Sequence, residues 1–116
     1  MLATRIFTDA DGVSRFADFD IPLSDRGDIG RLSAWAAATG IIFRETPGDY
    51  AYDWHPAPRR QFVLILDGMV EIEVGDGSVR RFGTGDTLLV EDLDGRGHKS
   101  RAVDGKPRRS VFVTLD

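Results

Sequence analysis

Residues 55–77 read His55-Pro56-Ala57-Pro58-Arg59-Arg60-Gln61-Phe62-Val63-Leu64-Ile65-Leu66-Asp67-Gly68-Met69-Val70-Glu71-Ile72-Glu73-Val74-Gly75-Asp76-Gly77. This stretch decides the fold class. Residues 61–67 are almost all apolar, as expected of a strand buried on both faces. Gly68 turns the chain. Residues 69–74 then alternate, with Val70, Ile72 and Val74 on one side and Glu71 and Glu73 on the other, the pattern of a strand with one solvated face. Gly75-Asp76-Gly77 is a hairpin turn.

The same reading extends in both directions. Downstream, residues 78–82, 86–91, 98–103 and 109–115 are further strands. Upstream, residues 41–46 form a strand, Pro47-Gly48 a turn, and 50–55 a strand. Simple alternation there puts Tyr50, Tyr52 and Trp54 on one face and Ala51, Asp53 and His55 on the other. Residues 3–8 and 16–23 are two more extended pieces, separated by a turn at Asp9-Ala10-Asp11-Gly12. Residues 24–30 are a polar loop. Residues 31–39 have the best helix propensity in the chain, in a short run directly before a strand. Closely spaced strands with turn signals between them predict a sandwich or barrel.

Composition agrees. The chain has 116 residues, enough for a single domain spanning 1–116 and little more. Its core occupies about 41–115, with strands and a loop in 1–40. So small a core gains from burying further apolar area in a homodimer. The stripe Tyr50, Tyr52 and Trp54, placed opposite the His55 face, is the expected contact. The net charge of −4 argues against nucleic acid or anionic lipid as partner. The basic residues Arg96, Lys99, Arg101, Lys106, Arg108 and Arg109 come without aromatic neighbours and read as a solvated edge. No cysteine is present, so metal ligands must come from His, Asp, Glu and Gln. The start of the chain lacks a signal peptide's apolar stretch, no run reaches the length of a membrane span, and a cytoplasmic location is the expectation.

The chain has two histidines, His55 at the end of one strand and His98 at the start of another. A histidine is a common metal ligand and acid–base group, and as commonly a core residue bonded to backbone. The stretch His55 to Gly68 resembles the first motif of the cupins, Gly-x5-His-x-His-x3/4-Glu-x6-Gly. His55 matches the first histidine, Gln61 stands at the glutamate, and Gly68 follows at the motif's spacing. Gly85-Asp86 through Glu91 resembles the start of the second motif, and His98 its histidine. The resemblance implies an all-β, cupin-type antiparallel barrel, a double-stranded jelly roll. It implies a metal site of His55, Gln61 and His98 for one divalent ion, such as zinc, nickel, copper, iron or manganese. Ala57 replaces the motif's second histidine, Gln61 its glutamate, Glu91 the proline and Ala102 the asparagine, so the ligand set is depleted.

Three further residues complete the candidate site. Asp53, on the expected face of His55, is the nearest acid that could join a metal or bind a ligand. Arg59 shares a face with Gln61 on strand alternation and is placed at the rim, where a guanidinium binds a carboxylate or phosphate by two contacts. Glu91 is the expected acid–base partner of the histidines, with Asp92 and Asp94 beside it in the loop before His98. The expected function is binding of a small polar or anionic molecule in the barrel, with metal-assisted isomerase, lyase or cyclase chemistry. The alternative is a non-catalytic binding or sensing module.

Overall fold

The computed structural model describes residues 1–116. Twelve strands form, and no α-helix. A six-stranded sheet has the order β2 (Ser14–Asp20), β1 (Leu2–Thr8), β10 (Thr87–Glu91), β7 (Gln61–Asp67), β12 (Arg108–Thr114), β5 (Gly40–Thr46). A four-stranded sheet has the order β6 (Ala51–His55), β11 (His98–Ala102), β8 (Val70–Glu73), β9 (Val79–Phe82). A two-stranded ribbon pairs β3 (Ser24–Asp25) with β4 (Arg31–Leu32), around one turn of 3-10 helix at Gly27–Ile29. The all-β class read from the sequence is therefore the class observed. The ladders form two separate sheets with no closed barrel, and β1 pairs with β10 in parallel, not antiparallel.

The two sheets face each other across one core. Ile6, Ile65, Leu88 and Val90 come from the six-stranded sheet, and Val70, Ile72 and Phe82 from the four-stranded one. The alternation at 69–74 determines this directly: Val70, Ile72 and Val74 are all buried. At full burial each such side chain contributes about 1.5–3 kcal/mol. No helix of the structure is long and apolar enough to cross a membrane.

Two local expectations fail for identifiable reasons. Residues 33–39 adopt neither helix nor strand and are exposed throughout. Helix propensity in so short a run does not overcome nucleation without a packed apolar face. In addition, β7 is not covered on both faces. Gln61, Val63 and Ile65 point between the sheets, whereas Leu66 is 48% exposed. Its run of apolar residues belongs to an outer sheet face that the chain leaves partly open.

Candidate functional site

Between the sheets lies a cavity of about 270 Å³. His55, Gln61 and His98 all line it, and the imidazole centroids of His55 and His98 are 4.6 Å apart. The pairing of β6 with β11 sets His55 opposite His98. Gly97 permits this approach: its φ is +78°, and a Cβ there would collide with the backbone carbonyl of His55 and the nitrogen of Pro56. Ala57, at the position of the missing second histidine, is buried in the cavity wall.

The faces of β6 differ from simple alternation. His98 pairs with His55 and Ser100 with Tyr52, so β6 carries one extra residue between the two pairs. This bulge reverses the alternation after Tyr52. Tyr50, Tyr52 and His55 consequently share the cavity side, with the Tyr52 and His55 rings 3.8 Å apart. Trp54 instead lies beneath Arg96, whose guanidinium is 3.8 Å from the ring centroid. The expected stripe of Tyr50, Tyr52 and Trp54 on a face opposite His55 does not form.

Both imidazoles are oriented through Nδ1. His55 Nδ1–H donates to the Asp53 carbonyl at 2.7 Å. A carbonyl can only accept, so in the neutral ring Nε2 carries the lone pair. Burial, and secondarily His98 nearby, push the His55 pKa below its ordinary value, with the Asp53 carbonyl opposing. His98 is 7% exposed, and its Nδ1 lies 2.7 Å from Asp92 Oδ2. Asp92 is completely buried, and the same oxygen accepts the Ser14 hydroxyl at 2.8 Å. Ser14 thus steadies Asp92, which orients His98.

The other expected site residues fall elsewhere. Glu91 points away from the cavity and is neutralised by Arg5 and by Arg60, whose Nε is 2.8 Å from it. Leu88 and Val90 line the cavity, so strand parity brings Asp92, not Glu91, to the inner side. Asp53 contributes only its backbone carbonyl; its carboxylate is exposed and accepts the Trp54 N–H. Arg59 is exposed in a bend before β7, where strand alternation does not apply, and it does not line the cavity. The cavity's guanidinium groups belong to Arg44 and Arg108. Sequence reasoning missed Arg44 altogether and assigned Arg108 to a solvated edge. The signal was present in β12, where 108, 110, 112 and 114 share one parity.

A resident divalent metal is poorly served by this donor set. Two imidazoles and a neutral amide fall short of three strong protein ligands, and no group of three His, Cys, Asp or Glu side chains suited to a metal occurs.

No protein-family model matches the chain, and no curated protein does. Solved structures share its fold. The conserved protein SPY1581 of Streptococcus pyogenes, of unknown function, superposes with a TM-score of 0.53 at 23% identity, over 72% of this chain and 69% of that one. Protein NMB1881 of Neisseria meningitidis superposes with a TM-score of 0.51 at 18% identity, over 66% of this chain and 72% of that one. At these identities the likeness is one of fold.

Proposed function

We propose that this chain is a cupin-like jelly roll that binds a small polar molecule between its sheets and moves protons on it with His55 and His98. The observation that carries this reading is the 4.6 Å approach of the two rings, each held at Nδ1 by a different acceptor. A neutral His55 suits the base. It removes a proton from the bound molecule, and His98, when it carries a proton at Nε2 as well as at Nδ1, delivers one to a neighbouring atom; His55 then gives its proton to solvent and His98 takes one up, so protons balance and no oxidant is needed. Isomerase, lyase and cyclase reactions share this step. The depleted ligand set supports a second reading, a binding or sensing module that leaves its ligand unchanged.

A library of small polar metabolites, screened by thermal shift and NMR, tests the proposal. A ligand should stabilise the wild-type protein, and folded His55→Gln and His98→Gln variants should lose that response. Incorporation of solvent deuterium into the ligand supports catalysis; recovery of the ligand without deuterium favours the binding module. Unchanged ligand responses in both variants would sink both readings.

We propose further that the protein is a homodimer through the outer face of the six-stranded sheet. Ile41 and Phe43 on β5 pair with Val113 and Val111, which pair in turn with Phe62 and Leu64. These residues share the face opposite the cavity. Phe43 is 75% exposed, and β5 is an edge strand. A second copy would cover this apolar face symmetrically.

A further inference from the structure

The cavity has a second polar end, built on Arg108. This residue is 6% exposed and lines the cavity, and its Nη1 makes no hydrogen bond within the chain. A buried guanidinium is normally paired, because an uncompensated charge in the interior is costly. Even far more exposed arginines here are paired: Arg5 and Arg60 with Glu91, Arg101 and Arg81 with Glu71, and Arg109 with Asp67. Neither Arg108 nor Arg44 belongs to any ion pair of the chain.

The polar side chains around Arg108 are hydroxyls and a second guanidinium, and no carboxylate lines the cavity. Ser110 pairs with Arg44 across the β12–β5 ladder, and Arg108 with Thr46, which sets these four side chains on the inner face. The hydroxyls of Thr46 and Ser110 are buried and, like Arg108 Nη1, have no partner in the chain. The guanidinium carbons of Arg44 and Arg108 lie 5.3 and 5.5 Å from the Tyr50 ring centroid. The Tyr50 hydroxyl is 2.7 Å from Ser100 Oγ, and both residues line the cavity. Burial, and Arg44 beside it, push the Arg108 pKa down, with Tyr50 opposing. Two cations thus face one space with no acid between them.

We propose that Arg108 and Arg44 form the anion subsite of this cavity, and that its ligand is a small organic carboxylate. The proposal rests on the cavity being the ligand site, as read above, and specifies what enters it. A planar carboxylate matches the two-point donor geometry of a guanidinium. Val63, Ile65, Val70, Ile72 and Phe112 line the wall and suit a short carbon body, which an inorganic anion lacks. At about 270 Å³ the space lies near the lower end of small-molecule sites, which begin at about 300 Å³.

Calorimetric and thermal-shift titrations at pH 7 test this with four probes: acetate, butyrate, butyramide and inorganic phosphate. Butyrate should bind saturably and more tightly than acetate, and butyramide and phosphate should bind weakly or not at all. Arg108→Met should weaken butyrate by about 10- to 100-fold, the loss of a charge-assisted pair. Its unliganded melting temperature should equal or exceed that of wild type, because an unpaired buried charge is removed. A purely structural arginine would give the opposite shift. Should Arg108→Met fail to fold, Arg44→Gln must still weaken butyrate. Equal binding of butyrate and butyramide, phosphate binding in preference to butyrate, or wild-type butyrate affinity in the arginine variants would each overturn the proposal. The imidazole resonances of His55 and His98 separate the two claims. If they respond to butyramide and nothing responds to butyrate, only the subsite falls. If butyrate binds and they do not move, the subsite stands and the proton-transfer reading falls.

Discussion

His98 Nδ1 and Asp92 Oδ2 are 2.7 Å apart, in a pair where the imidazole is nearly buried and the carboxylate wholly so. Asp92→Asn should therefore do two things. It should cost about 1–3 kcal/mol of stability, the usual effect of disturbing a buried polar contact. It should also release the His98 tautomer, since an amide can present either a donor or an acceptor to Nδ1. Nitrogen-15 spectra of the imidazoles would record the second effect. Glu91→Gln, one residue away, should leave those spectra unchanged, because Glu91 faces Arg5 and Arg60. Identical imidazole spectra in Asp92→Asn and wild type would contradict the assigned pairing.

His55 makes stability depend on pH in a defined direction. Its folded-state pKa lies below the ordinary value because burial disfavours the imidazolium. In the unfolded chain it titrates near about 6.5. Between the two values the unfolded state binds a proton that the folded state does not, so stability falls as pH drops below about 6.5 and levels off beneath the folded value. Urea unfolding from pH 8 to pH 5 should show this loss, and His55→Gln should reduce it. A His55 NMR titration midpoint above 6.5 would be decisive against it.

Gly97→Ala should be among the more damaging single-methyl additions in the chain. The site has φ of +78° and no space on the side where Cβ would lie. Backbone conformation alone costs about 1–3 kcal/mol, and the collision with the His55 carbonyl adds to it. The variant should show a lower melting temperature and altered ring-current shifts on both imidazoles. Gly77→Ala offers the contrast: its φ of +88° carries the same conformational penalty, but no heavy atom lies near. Equal losses in the two variants would show that contact with His55 does not matter.

The outer face of β5 should hold the dimer together. Light scattering at micromolar concentration should give twice the chain mass, and Phe43→Asp should shift it towards monomer without unfolding the sheet. A wild-type monomer under these conditions would rule the interface out.

Much of the fold was legible because strand periodicity is local. The strands read at 41–46, 61–67, 86–91 and 109–115 recur within a residue or so as β5, β7, β10 and β12. The pairing of His55 with Gln61 and His98 around one cavity was legible only through the motif resemblance, since nothing local joins two histidines across several turns. Where periodicity was trusted one step too far, it failed. The β6 bulge moved His55 to the tyrosine side, and the bend at Pro58-Arg59 removed Arg59 from any strand face.

The sequence by itself determined the all-β class, the inward Val70, Ile72 and Val74, and the absence of thiol chemistry, because side-chain alternation and composition need no partner. Only the tertiary structure decided that Asp92 rather than Glu91 stands behind His98, and that Arg108 faces a cavity with no acid to meet it. Those facts depend on which strands lie opposite one another. Whether a charge is paired or stranded is a property of its neighbours in space, and neighbouring strands here are drawn from opposite ends of the chain.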